Sequence, residues 1–134
     1  MKLKLFGTVV GMILLSCPIT AKDIVHTKWV DFGRISNETT VVGIVKGYDT
    51  IQYKLKVKAN QTMHVNMETN KVKFNIFQPN KSPMDGAIFM GKTEGSSFVG
   101  KLKKNGVYTI EVYLVDDEAK KDKKIIYTVD IGLK

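Results

Sequence analysis

Residues 105 to 131 read NGVYTIEVYLVDDEAKKDKKIIYTVDI, and this stretch decides the fold class. Val107 to Val115 carries Tyr, Thr, Ile and Val in a run suited to a pleated, half-buried surface, and Ile125 to Ile131 repeats that composition after a charged interruption. Two strands joined by a solvated connection follow. Asn105-Gly106 marks the start of the first strand, because both residues tolerate positive φ and let the chain reverse sharply before Val107. Asn105 and Tyr108 then fall at one rim of the sheet, where recognition residues commonly sit.

The same pattern extends outward. Tyr53, Leu55 and Val57 alternate with Lys54, Lys56 and Lys58, the period-two signature of a sheet with one wet face. Ala59-Asn60-Gln61 turns the chain into Thr62 to Met67, with Met63, Val65 and Met67 apolar, which predicts a hairpin with the preceding strand. Val72 to Phe77 repeats the rule and is expected beside them in the same sheet, through the short turn of Glu68 to Lys71. Upstream, Ile24 to Phe32 and Thr39 to Val45 are strand-like, the second closed by Lys46-Gly47-Tyr48-Asp49. Gln78 to Gly86, with Pro79 and Pro83, is a loop before strand-like Ala87 to Met90 and Ser97 to Leu102. No helix of ordinary length is required. The expected architecture is all-β, an antiparallel β-sandwich or flattened barrel of roughly eight or nine short strands.

A chain of 134 residues with 43% hydrophobic content supports one modest core. Its first residues read as an export signal: basic Lys2 and Lys4, an apolar run from Leu5 to Leu15 too short to span a bilayer, then a cleavage region. Cleavage after Ala21 is the expected boundary, giving a signal peptide at 1–21 and a single domain at 22–134 in the periplasm. The alternative is a lipoprotein box at Leu14-Leu15-Ser16-Cys17 with Cys17 lipidated. Loss of Lys2 and Lys4 takes the formal charge from +8 to +6.

Cys17 is the only cysteine, so the mature domain is expected to form no internal disulfide and to owe its stability to packing. With only His26 and His64 besides, no clustered motif calls for a metal, and no cofactor is expected. Asp116-Asp117-Glu118 lacks the calcium-loop spacing and is followed by Lys120, Lys121, Lys123 and Lys124, which reads as a charge-balanced loop. His64 shares a face with Thr62 and Asn66 and reads as a surface histidine. No catalytic motif remains.

The excess charge is almost all lysine, with Arg34 the only arginine, a pattern commoner in solubility than in bidentate recognition. Lys54, Lys56 and Lys58, joined by Lys101, Lys103 and Lys104, make an electrostatic footprint without the aromatic ladder of single-strand nucleic-acid binders. Export also argues against nucleic acid. Weak attraction to the anionic envelope and self-pairing through an exposed sheet edge stay open as partner readings.

Lys46-Gly47-Tyr48-Asp49 followed by Tyr53, the Met63-His64-Val65 triplet, and the closing G-V-Y-T-I-E-V, A-K-K and Y-T-V-D-I runs together resemble the periplasmic lysozyme inhibitors, closest to the g-type inhibitor and similar to the i-type. The resemblance runs from about Trp29 to Lys134. It implies a protein that performs no chemistry and blocks a g-type or i-type lysozyme by inserting rim loops into the enzyme's glycan cleft. The family's S-G-x-Y loop matches Asn105, Gly106, Val107 and Tyr108, with Asn in place of Ser. Its pair of arginines four apart on the adjacent loop matches Asp116 and Lys120, of which only Lys120 keeps the charge. The implied contacts are therefore Tyr48, Asp49, Asn105, Gly106, Tyr108, Asp116 and Lys120, with Tyr108 the aromatic anchor. The rival reading is a non-catalytic envelope- or glycan-binding β-sandwich without inhibitory activity.

Overall fold

The structure, a computed structural model, describes residues 23–33, 36–81 and 83–134. The expected signal segment and Cys17 lie outside the described residues, as does Arg34. Among the described residues nine strands run β1 (Val25–Trp29), β2 (Glu38–Lys46), β3 (Thr50–Val57), β4 (Thr62–Met67), β5 (Val72–Phe77), β6 (Ala87–Met90), β7 (Ser97–Lys101), β8 (Gly106–Leu114) and β9 (Lys124–Leu133). Three single-turn helices interrupt them: α1 (Pro83–Gly86), α2 (Gly91–Glu94) and α3 (Asp116–Ala119).

The strands form two facing sheets, one ordered β1-β3-β8-β5-β6 and the other β2-β9-β4-β7. The arrangement is an open all-β sandwich. The two halves of the deciding stretch are β8 and β9, and each is an interior strand of a different sheet. Period-two alternation explains the core between them. Tyr53, Leu55, Phe74, Ile76, Tyr108, Ile110 and Val112 of the larger sheet face Met63, Val65, Tyr127, Val129 and Ile131 of the smaller, all 3% exposed or less. Each such side chain contributes on the order of 1.5–3 kcal/mol by leaving water, which is how the domain holds together without a disulfide among the described residues.

Two expectations about neighbours fail. The hairpin of Tyr53–Val57 with Thr62–Met67 does not form, and Val72–Phe77 does not sit beside Thr62–Met67. β3 and β5 both pair with β8, while β4 pairs with β7 and β9 in the other sheet. Alternation states which face of a strand is apolar, and strands from either sheet satisfy it by pointing inward from opposite sides. The turns at 58–61 and 68–71 therefore carry the chain across the sandwich. The first strand is shorter than Ile24–Phe32 and pairs in parallel with β3, Val25 opposite Thr50.

His64 packs over Gly132 and approaches Glu38, Nε2 to Oε1 3.3 Å, on the outer face of the smaller sheet, as a surface histidine would. β5 is buried on both faces because α2 folds over it: the Asn75 side-chain oxygen accepts the Tyr113 hydroxyl at 3.0 Å and the Gly91 N–H at 3.2 Å.

Candidate functional site

β2 turns into β3 through Lys46-Gly47-Tyr48-Asp49, closed by the Asp49 N–H donating to the Lys46 carbonyl at 3.1 Å. Gly47 has φ +59°, and a Cβ there would stand 2.8 Å from Asp122 Oδ1, so this turn needs glycine both for its conformation and for its approach to the β8–β9 connection. The Asp49 carboxylate accepts the Ile24 N–H at 2.9 Å and ties the start of β1 to the turn. Across from it, α3 is seeded by the Val115 carbonyl, which accepts from the Glu118 and Ala119 N–H groups at 3.0 and 2.9 Å. Ala119, 2% exposed, pins that turn to the core.

These two loops bring Tyr48, Asp116 and Lys120 together. Tyr48 is 50% exposed, and its hydroxyl donates to Asp116 Oδ1 at 2.8 Å. The other carboxylate oxygen, Oδ2, takes Lys120 Nζ at 3.2 Å. The Tyr48 hydrogen bond, reinforced by Lys120, holds the Asp116 carboxyl below the usual carboxylate range. The same bond raises the Tyr48 phenol, and Asp116 raises the Lys120 ammonium. At neutral pH the trio is thus a phenol, a carboxylate and an ammonium in fixed order. All three side chains face solvent, so the pairing organises the rim more than it stabilises the fold.

A hollow of about 260 Å³ opens beside Tyr48, with Lys73, Lys92 and Tyr113 in its lining. Sequence reasoning missed these three. They come from separate stretches, joined by the β5–β8 register that sets Lys73 opposite Tyr113 and by α2, which carries Lys92. Only a knowledge of strand pairing would have grouped them.

Asn105, Gly106 and Tyr108 belong to the opposite pole. β8 spans nine residues, about 30 Å at strand rise, and its start lies at one end of the sandwich while Asp116 lies beyond the other. The seven residues matched to the family's contacts therefore do not form one rim, and the 105–108 loop is not adjacent to the 116–120 loop. Nor is Tyr108 available as an inserted aromatic. It is 2% exposed, on the inward face with Ile110 and Val112, and its hydroxyl donates to the Lys104 carbonyl at 3.0 Å. Asn105 Oδ1 accepts the Ala59 N–H at 2.6 Å, bracing the β3–β4 turn. Gly106 has φ +139°, and a Cβ there would lie 2.7 Å from Pro79 Cγ. This loop is built to hold the chain.

Among the described residues, no group of three or more His, Cys, Asp or Glu is placed to hold a metal. Neither the known family models nor the curated protein sequences gave a match. Solved structures did. The crystal structure of PliG from Aeromonas hydrophila, a periplasmic lysozyme inhibitor of g-type lysozyme, matches with TM-score 0.77 and 29% identity over 84% of this chain and 100% of that one. This chain is therefore similar in fold and sequence to that inhibitor along the inhibitor's whole length. PliG from Salmonella Typhimurium matches with TM-score 0.67 at 24% identity over 81% of this chain and 98% of that one, and a mutant of the Escherichia coli protein with 0.66 at 23% over 83% and 99%. At those identities the likeness speaks for the sandwich alone.

Proposed function

We propose that this protein inhibits a g-type lysozyme in the periplasm, and that it does so with the Tyr48 pole. The observation that carries the reading is the coincidence, on a chain alignable with the whole of a g-type inhibitor, of a half-exposed tyrosine and a lysine locked to one carboxylate on two mutually packed loops. An inhibitor needs polar groups and an aromatic held at fixed positions, so that little freedom is lost on entering a cleft. Tyr48 is the aromatic that enters. Lys120 offers its ammonium to the carboxylates of a glycan-cleaving site. Asp116, where the family pattern has an arginine, contacts the enzyme least: its charge is already shared between Tyr48 and Lys120, so it positions both and sets less like charge against a catalytic carboxylate than a bare aspartate would. Asp49 fixes the turn. Asn105, Gly106 and Tyr108 serve as scaffold. Export with cleavage after Ala21 supplies the compartment.

The test is a lysis assay. The domain from Lys22 is titrated against g-type, i-type and c-type lysozymes acting on a peptidoglycan suspension. The expected result is stoichiometric slowing of the g-type enzyme, lost on Tyr48→Ala. Retention on peptidoglycan with no effect on any lysozyme would instead establish a glycan-binding sandwich, and inhibition confined to the i-type enzyme would reassign the target. Intact mass of the protein from the envelope checks the boundary, with a diacylglyceryl mass on Cys17 overturning cleavage at Ala21.

A further inference from the structure

At the Asn105 pole, where the edge strands β6 and β7 of the two sheets part, a hollow of about 360 Å³ opens beside the core. Its lining is apolar where it meets the sandwich: Ile88 from β6, Phe98 from β7, buried Leu102 and the buried ring of Tyr108. Phe98 stands edge-on to Phe89 at 5.5 Å between ring centroids, and Phe89 stacks on Phe74 at 4.8 Å, so the wall continues into the core as an aromatic column. The mouth is different. Lys101, Lys103 and Lys104 ring it, all exposed, and among the described residues no carboxylate pairs with any of them. Three of the other described lysines, Lys46, Lys120 and Lys121, do pair with a carboxylate.

An apolar wall closed by three uncompensated ammonium groups is complementary to one ligand chemistry. We propose that this hollow binds a single-chain anionic amphiphile, an acyl chain ending in a carboxylate or phosphate, with the chain against Ile88, Phe98 and Leu102 and the head among Lys101, Lys103 and Lys104. The volume lies near the lower end of small-molecule sites, which begin at about 300 Å³, and suits one chain rather than two. Purely polar anions would leave the wall wet; neutral amphiphiles would leave the lysines without a partner. The site lies at the pole opposite Tyr48, so occupancy leaves the proposed inhibitory rim open.

Calorimetry on the domain from Lys22, with ligands below their micelle concentrations, tests this. Dodecanoate is expected to bind, with affinity rising about fourfold per methylene from octanoate upward, whereas acetate and inorganic phosphate do not displace it. The double variant Lys103→Gln, Lys104→Gln should weaken dodecanoate about tenfold. Ile88→Trp should fill the hollow and abolish binding with every lysine kept, its fold being checked by circular dichroism. If lauroyl lysophosphatidylglycerol binds more tightly than dodecanoate, the source of the ligand is membrane lipid; the reverse order assigns it to free fatty acid. Binding of neither overturns the proposal, as does dodecyl maltoside binding as tightly as dodecanoate. Undiminished binding by the folded Ile88→Trp protein overturns it too. Lysozyme inhibition enters none of these readouts.

Discussion

At the pole where β8 ends, Tyr48, Asp116 and Lys120 hold one another while staying in solvent; at the pole where it begins, Asn105, Gly106 and Tyr108 hold the chain itself. Both poles use an aromatic, a polar side chain and a glycine, so residue type alone does not distinguish them. What distinguishes them is where the hydrogen bonds go. Tyr48 and Lys120 bond to a side chain and keep their faces exposed, whereas Asn105 and Tyr108 bond to backbone and are used up in closing turns. A surface that grips a protein needs side chains that are ordered but not consumed, and of these two sets only Tyr48 and Lys120 are both.

The sharpest way to break this contrast is to truncate both tyrosines. Tyr108→Ala empties a fully buried site and should cost about 3–5 kcal/mol of stability in urea unfolding, while Tyr48→Ala should leave the unfolding midpoint nearly unchanged. The inhibition constant should move the other way, weakening about thirtyfold for Tyr48→Ala. A Tyr48→Ala protein that inhibits as well as the parent would transfer the site away from this pole.

Gly106→Ala tests the building role of the second pole. With φ +139° and Pro79 in the way, the substitution should destabilise by about 1–3 kcal/mol without changing the inhibition constant of the protein that remains folded. A smaller effect is expected at the first pole from Asp116→Ala. It releases Tyr48 and Lys120 together, so inhibition should weaken about fivefold, less than on removing the aromatic itself; equal or greater loss would make Asp116 a direct contact.

Between the poles, the Tyr53 and Tyr127 hydroxyls meet in the core. Burial raises both phenols above their ordinary value of 10.0, Tyr127 the further because it also gains from Tyr53. The sign follows from linkage: the unfolded chain gives up these protons first, so the pair's contribution is complete below about pH 10 and is lost as pH rises above it. Urea unfolding should therefore show stability falling in the alkaline range, and the double variant Tyr53→Phe, Tyr127→Phe should flatten that fall.

Much of the fold is written in alternation. Tyr53-Leu55-Val57, Met63-Val65-Met67 and Val72-Phe74-Ile76 predict β3, β4 and β5 nearly to their bounds. What alternation cannot carry is the identity of a neighbour, because inward-facing residues look alike from either sheet; hence the hairpin that is not there. The site was half legible for the same reason. Tyr48-Asp49 and Asp116-Lys120 stand at turns that composition identifies, but their meeting depends on two loops crossing one end of the sandwich. Tyr108 was misread although its signal was available: Tyr108, Ile110, Val112 and Leu114 share a parity, and that parity faces the core.

The interior position of β8 and β9 also has a consequence in time. Synthesis delivers β1 to β7 first, yet among the described residues β2 pairs with no strand but β9, and β3 and β5 are joined through β8. Until β8 and β9 arrive, the earlier strands are fragments with open edges, and pairing β2 with β9 requires closing a loop across most of the chain. Such topologies fold slowly and expose edges meanwhile. Removing β9 should leave a chain that aggregates instead of a smaller sandwich, and a helper that shields strand edges should act before the C-terminus emerges.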